Sequence, residues 1–136
     1  MPFVMDASVT LAWCFRDEEN AYAHRVFRRL DDDPAVVPSI WLLEVANGLL
    51  VAERRGRFSR AEVAEVDGVL ADLPITWHEL SLDLALGPVL ELARAQGLST
   101  YDAAYLDLAM REGLPLATQD EALRAAAQRV GVPLVD

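Results

Sequence analysis

The sequence contains no lysine, since all 12 of its basic residues are arginine. A phosphate-binding P-loop requires a Gly-Lys-Ser/Thr run and Schiff-base catalysis requires a lysine amine, so both are excluded. The single cysteine, Cys14, cannot form an internal disulfide, and together with His24 and His78 it cannot build a structural zinc site. The chain is therefore compatible with a reducing cytosol, and we expect a cytoplasmic protein.

Long apolar runs are also missing. The longest uncharged stretch has ten residues, from Pro34 to Leu43, whereas a membrane helix needs about 20. The N-terminus has no basic segment and meets a carboxylate at Asp6, unlike an export signal. We therefore expect no membrane association.

Acidic residues outnumber basic residues in this chain. The formal net charge is −10, from 22 acidic and 12 basic residues. This balance argues against a broad electrostatic grip on nucleic acid. It remains compatible with a nucleic-acid enzyme in which metal ions bridge carboxylates to phosphates.

The length and the apolar content indicate one domain. The 136 residues, 53% of them hydrophobic, suffice for one core and would divide into two that are small, so we expect a single domain over residues 1–136. Short apolar segments alternate with longer amphipathic ones. This alternation predicts a small, helix-rich α/β fold, a three-layer sandwich around a short parallel sheet.

The boundaries follow from apolar runs, capping residues and helix breakers. The predicted strands are Phe3 to Met5, Ala35 to Val37, Ile75 to His78, Pro115 to Ala117 and an edge strand at Pro133 to Val135. The predicted helices are Val9 to Phe15, Asn20 to Leu30, Ile40 to Arg55, Arg60 to Leu73, Ser81 to Gln96 with a kink at Gly87-Pro88, Ser99 to Glu112, and Glu121 to Val130.

Four carboxylates follow predicted strands or begin predicted helices. Asp6 follows the first strand directly, and Glu44 lies in the first turns of the helix after the second strand. Asp102 lies in a first helical turn, and Asp120 comes three residues after Ala117. Because ligands bind beyond the carboxyl ends of parallel strands, we expect these four acids to share one edge of the sheet.

Each aspartate also has a purely structural interpretation. Asp6 suits a helix N-cap, and Ser99 with Asp102 resembles a capping box. Thr118 with Glu121 fits a regular capping box, which would leave Asp120 in the first helical turn beside the positive end of the helix dipole.

Glu44 is harder to explain structurally. It lies in an apolar stretch, where an unpaired carboxylate costs several kcal/mol. The nearest arginine on its helical face, Arg55, is three turns away. We therefore expect a metal, or Asn47 together with solvent, to satisfy this carboxylate.

Taken together, the four acids predict a cation site. Converging carboxylates with little cationic compensation repel one another, and a divalent cation relieves that repulsion. Oxygen ligands without cysteine or clustered histidine favour Mg²⁺, with Mn²⁺ also possible, over zinc.

Four motifs, in this order and at these spacings, resemble a known family. They are Val4-Met5-Asp6-Ala7-Ser8, Leu43-Glu44-Val45-Ala46-Asn47, Leu98-Ser99-Thr100-Tyr101-Asp102-Ala103-Ala104-Tyr105-Leu106 and Leu116-Ala117-Thr118-Gln119-Asp120-Glu121-Ala122-Leu123. Over essentially its whole length the chain resembles a PIN domain, specifically a ribonuclease toxin of the VapC kind from a type II toxin–antitoxin pair.

The resemblance implies roles for these residues. Asp6, Glu44, Asp102 and Asp120 would bind Mg²⁺ or Mn²⁺ and activate water to cleave RNA, with Asn47 and Thr118 supporting them from outside the metal's coordination sphere. It also implies a homodimer and a cognate antitoxin protein as partner. Two positions depart from the family pattern. Gln119 stands where a shorter or apolar residue is common, which we expect to matter little, and Gly87-Pro88 interrupts a helix that is usually continuous.

Other functions remain open on the sequence alone. A non-catalytic PIN-like module that binds RNA or protein would need at least one acid to be lost, and all four are present. A Mg²⁺-dependent phosphohydrolase for small molecules would need a lysine or a phosphate-binding loop. The arginines Arg54, Arg55, Arg57 and Arg60 form either a solvated helix end or a surface for RNA phosphates. We expect Asp107 to pair with Arg111 and to take no part in the site.

Overall fold

The computed structural model describes residues 1–15 and 20–136. Four strands form the sheet: β1 (Phe3–Met5), β2 (Ala35–Pro38), β3 (Ile75–His78) and β4 (Leu116–Ala117). The helices are α1 (Ala7–Cys14), α2 (Ala21–Arg29), α3 (Ile40–Arg54), α4 (Arg60–Ala71), α5 (Leu82–Leu84), α6 (Leu90–Gln96), α7 (Thr100–Glu112) and α8 (Glu121–Val130), with a π-helical segment (Ala85–Val89) between α5 and α6.

All four strands are parallel, in the order β3-β2-β1-β4. β1 is central: Val4 pairs with Val36 of β2 on one side and with Leu116 of β4 on the other. Beyond β4, Leu134 forms a single parallel bridge to Leu116, where the sequence predicted an edge strand. The predicted helix-rich α/β fold around a short parallel sheet is thus confirmed.

The strand order explains how the helices cover the sheet. The chain passes from β1 to β2 to β3 in one direction and then returns across the sheet to β4. Because such crossovers are right-handed, the helices of the outward and return paths lie on opposite faces. The return-path helix α7 packs against β1, β2 and β4, and residues 103–109 within it are all buried.

Side-chain caps fix where several helices begin. Asp6 caps α1, Asn20 caps α2, and Ser99 caps α7. At α4 the Ser59 hydroxyl and the Glu62 carboxylate form a complete capping box. These caps use local signals, which is why the predicted helix starts agree closely with the structure.

The capping prediction for α8 is wrong. Asp120, not Thr118, caps this helix, and its carboxylate accepts from the Leu123 amide at 2.8 Å. The Thr118 hydroxyl is engaged elsewhere, because it donates to Asp6 in the neighbouring strand–helix connection. The hydrogen bond between Thr118 and Asp6 has thus taken the place of the predicted Thr118 cap.

The predicted kink at Gly87-Pro88 takes the form of the π-helical segment, in which Gly87 leaves helical backbone geometry (φ −98°, ψ −105°). Proline lacks the amide that an uninterrupted helix requires, which accounts for the break. Within the described residues, none of the helices has the length and apolar character needed to cross a membrane.

Candidate active site

Asp6 lies where β1 ends and α1 begins, and its side chain is almost fully buried, with 4% exposed. One carboxylate oxygen accepts from the Ser8 hydroxyl at 2.7 Å and from the Val9 amide at 3.0 Å. The other accepts from the Thr118 hydroxyl. Burial raises the pKa of Asp6, and the Asp102 charge adds to the rise, although these hydrogen bonds oppose it.

Glu44 lies in the second turn of α3 and is half-buried. Its carboxylate accepts from the hydroxyl of Tyr105, a buried residue of α7, at 2.6 Å. The sequence predicted a metal, or Asn47 with solvent, as the partner of this carboxylate. The tyrosine on the neighbouring helix instead provides its protein donor.

The Tyr105 hydroxyl is held as a donor. Burial raises its pKa strongly, and the adjacent Glu44 carboxylate raises it further. Burial raises the pKa of Glu44 as well, while the tyrosine hydrogen bond opposes that rise. Tyr105 therefore keeps its proton and orients Glu44.

Asp102 and Asp120 lie at the starts of α7 and α8. The Asp102 amide is bonded to the Ser99 hydroxyl at 3.1 Å, and its carboxyl group is half-buried. Asp120 is exposed, and its amide donates to the Thr118 hydroxyl at 3.1 Å. Both carboxylates are thus carried by well-capped helices.

The four acids come together electrostatically around Asp102. Burial is the main cause that raises the pKa of Asp6, Glu44 and Asp102, and a neighbouring carboxylate adds to each rise. That neighbour is Asp102 for Asp6 and Glu44, and Asp120 for Asp102. Asp6 follows β1, Asp120 follows β4, and Glu44 and Asp102 lie near the starts of α3 and α7, so the topology places all four predicted residues at the carboxyl edge of the sheet.

These carboxylates share little cationic compensation. None of the four forms a salt bridge within the part of the chain that the structure describes. Their oxygens are ligands that Mg²⁺ and Mn²⁺ accept, and positive helix ends face the same edge. The donor set therefore fits a hard divalent cation.

The spacing of the acids is looser than that of a closed metal site. Among the described residues, no three acidic, histidine or cysteine side chains are placed so that they could hold a metal ion. The carboxylate oxygens of Asp6 and Asp120 instead accept hydrogen bonds from backbone amides. Metal binding by the four acids stays a prediction.

Thr118 and Asn47, the residues predicted to support the four acids, differ in their burial. Thr118 is fully buried and links the acids directly, since its hydroxyl donates to Asp6 and accepts from the Asp120 amide. Asn47 is exposed one helical turn beyond Glu44. Its supporting role stays a prediction.

A buried hydrogen-bonded chain that the sequence did not predict connects α3 to α1. The Trp41 indole donates to the Thr10 hydroxyl at 3.0 Å, and that hydroxyl donates to the Asp6 carbonyl at 3.2 Å. Trp41 is 5% exposed, as expected of a core residue. This chain ties the element that carries Glu44 to the backbone of Asp6.

Asp107 and the arginines from Arg54 to Arg60 lie outside the acid cluster. Asp107 pairs with Arg111 at 2.7 Å, as predicted. Arg54 lies at the opposite end of α3 from Glu44, about 15 Å along the helix axis, and Arg55, Arg57 and Arg60 follow it in the chain. One of them, Arg57, stacks over the Phe15 ring at 4.4 Å.

A mainly apolar concavity of the described structure lies away from the acids. It is a groove of about 790 Å³ between α3, α4 and β3, with a mainly apolar lining. Trp41, Leu49, Val66 and Ile75 are among its lining residues. The groove opens on the other side of α3 from Glu44, so it is distinct from the acid cluster.

Comparisons with known proteins identify the family. Residues 3–129 match the model of the PIN domain family, so the chain belongs to that family. The expected PIN-like fold is therefore confirmed. No curated protein matches the sequence.

Solved structures agree with this assignment. PAE2754 from Pyrobaculum aerophilum is 27% identical with a TM-score of 0.68, over 93% of this chain and 79% of that one. VapBC2 from Rickettsia felis, bound to a promoter DNA fragment, is 15% identical with a TM-score of 0.65, over 99% and 98% of the two chains. A toxin–antitoxin complex from Klebsiella pneumoniae is 14% identical with a TM-score of 0.58, over 87% and 86%. PIN domains are generally nucleases, which gives the acidic edge a chemical context.

Proposed function

We propose that this protein is a Mg²⁺-dependent endoribonuclease and the toxin of a toxin–antitoxin pair, which hydrolyses RNA phosphodiester bonds. The observation that carries the proposal is the placement of Asp6, Glu44, Asp102 and Asp120 at one edge of the sheet, where Thr118 bonds both Asp6 and the Asp120 amide. Membership of the PIN family supports it.

The residues that would hold the cation are Asp6, Glu44, Asp102 and Asp120. When bound, Mg²⁺ lowers the pKa of a coordinated water and neutralises charge on the phosphate. The protein supplies oxygen ligands, and Ser8, Thr118 and Tyr105 orient two of them through the hydrogen bonds given above. The starts of α1, α3, α7 and α8 present backbone amides that favour an anionic substrate.

Neither histidine is needed as a base in this scheme. His78 lies at the end of β3, and its imidazole is 3.5 Å from the Glu112 carboxylate. His24 is an exposed residue of α2. Proton transfer therefore depends on water and on the carboxylates themselves.

We also propose two protein partners, a cognate antitoxin and a second copy of this chain. Fold similarity to the toxin–antitoxin complex from Klebsiella pneumoniae supports the first. Exposed apolar side chains support protein association in general. The largest of these exposures belong to Leu82 (72%), Leu43 (70%) and Met1 (69%).

The test is RNA cleavage by the purified protein with Mg²⁺ and with a chelator. We expect cleavage that depends on the cation and is absent in the Asp102→Asn variant. The Asp107→Asn variant is the control and should cleave at the rate of the unchanged protein. Cleavage that persists in the chelator, or no cleavage of any RNA with Mg²⁺, would contradict the proposal.

A further inference from the structure

A pair of amide side chains joins two segments that are 99 residues apart in the sequence. The Asn20 amide nitrogen donates to the Gln119 carbonyl oxygen at 2.9 Å, and the Gln119 nitrogen donates back to the Asn20 oxygen at 2.9 Å. Two reciprocal bonds between planar groups fix the relative orientation of the segments better than one bond does. The sequence led us to expect little consequence from a glutamine at position 119.

Gln119 lies between two residues of the candidate active site. On one side, Thr118 donates its hydroxyl to Asp6 and its carbonyl accepts from Arg124 at 2.8 Å. On the other, Asp120 caps α8 through the Leu123 amide. The loop of residues 118–120 therefore sets the positions of two of the four acids.

Asn20 is itself held in place. Its side-chain oxygen accepts from the Ala23 amide at 2.9 Å as the N-cap of α2, and the same oxygen accepts from Gln119. Asn20 and Gln119 are both partly buried. The start of a regular helix thus provides a rigid anchor for a loop that has no regular structure of its own.

We propose that Asn20 and Gln119 form an amide clamp that positions the Thr118–Asp120 loop, and with it Asp6 and Asp120, for binding a divalent cation. The two amides touch neither substrate nor metal in this role, so they are positioning residues. Without a cation the carboxylates at this edge repel one another. A clamp that holds the loop before the cation arrives removes the cost of ordering it on binding.

The cation part of the inference rests on the proposed function, but the positioning part does not. Asn20→Ser keeps an N-cap hydroxyl for Ala23 and removes the donor to Gln119. Gln119→Ala removes both hydrogen bonds of the pair, because it deletes the second amide. The control is Gln96→Ala, which also deletes a side-chain amide hydrogen bond, accepted from Arg129 at 2.7 Å between the end of α6 and the last turn of α8.

Two measurements on the full-length chain test the clamp. In metal-free protein, hydrogen exchange at the Asp120 and Leu123 amides should be about fivefold faster in both clamp variants, as loss of a typical hydrogen bond implies. In calorimetry, Mn²⁺ should bind about fivefold more weakly to both. The double variant should be no worse than either single one, because both substitutions break the same clamp.

The outcomes separate a clamp from general support of the fold. Melting temperatures should fall no further than in Gln96→Ala, and raising Mn²⁺ should restore cleavage in the clamp variants. Unchanged exchange and unchanged Mn²⁺ affinity in both variants would overturn the clamp. If the unchanged protein bound no Mn²⁺, the proposed function would fail, and hydrogen exchange alone would then decide the clamp.

Discussion

At the scale of single residues, capping and metal binding are compatible roles for the same carboxylate. Asp6 and Asp120 each cap a helix through one oxygen. The second oxygen of Asp6 accepts from the Thr118 hydroxyl, and a cation can share that oxygen. The capping interpretation of Asp6 was therefore correct, whereas that of Asp120 was wrong, because Asp120 is itself the cap of α8. Capping leaves a metal-binding role open for both residues.

The Tyr105–Glu44 contact gives the first prediction at this scale. Tyr105→Phe removes the donor from a half-buried carboxylate while keeping the ring in the core. We expect RNA cleavage to fall about tenfold, as is typical when a group that supports a metal ligand is removed. Stability should fall by about 1 kcal/mol, measured by urea unfolding, because one hydrogen bond is lost.

The matched control is Tyr101→Phe on the same helix, where the side chain is 58% exposed. That variant should retain both the cleavage rate and the stability of the unchanged protein. Equal cleavage by Tyr105→Phe and the unchanged protein would show that Glu44 does not depend on this tyrosine.

At the scale of elements, the site depends on how closely α1 approaches α3. A β-carbon at Gly48 would lie 2.4 Å and 2.6 Å from the two terminal methyl groups of Leu11. Asp6 is the N-cap of α1, and Gly48 lies one turn beyond Glu44. The small size of this glycine thus allows the helices that carry two of the acids to pack together.

Gly48→Ala should force the Leu11 side chain out of its position between α1 and α3. We expect a loss of about 1–3 kcal/mol in the free energy of unfolding, typical of overpacking, together with reduced cleavage. Gly68→Ala in α4 is the control, because its β-carbon would meet nothing within 4 Å. That change should leave stability equal or slightly higher, since alanine favours a helix. A Gly48→Ala protein as stable as the Gly68→Ala protein would refute this account.

The elements themselves were largely predictable, whereas the contacts between them were not. β1, β3 and α8 have the predicted bounds, because apolar runs, caps and glycine stops are local signals. The Thr118–Asp6, Asn20–Gln119 and Tyr105–Glu44 bonds join residues 112, 99 and 61 positions apart. No short-range pattern encodes such pairs, and this is why the Thr118 cap was predicted wrongly and the partner of Glu44 was missed.

At the scale of the whole molecule, a chain with an excess of negative charge also contains a cluster of acids whose pKa values are raised. The folded chain binds protons at Asp6, Glu44 and Asp102 more tightly than the unfolded chain does. Their contribution to stability is therefore fully present below about pH 4, the ordinary carboxyl range. It is lost as the pH rises through the folded pKa values.

The prediction is that metal-free protein melts at progressively lower temperature as the pH rises from about 4 towards neutrality. Asp102→Asn should show a shallower decline, because it removes one of the titrating groups and the repulsion it causes. Adding Mg²⁺ should make the melting temperature of the unchanged protein depend less on pH. It should not change the pH dependence of the Asp102→Asn variant. A curve that is steeper in Asp102→Asn would contradict this account.

The most direct test of the central claim is calorimetric titration of Mn²⁺ into metal-free protein. The unchanged protein and Asp107→Asn should bind Mn²⁺ with equal affinity, because Asp107 pairs with Arg111 away from the cluster. Asp6→Asn and Asp102→Asn should bind it at least tenfold more weakly, since each loses a charged ligand. Their metal-free stability should be equal or higher, because carboxylate repulsion is relieved. Equal Mn²⁺ affinity in all four proteins would contradict the assignment of these acids to a metal site.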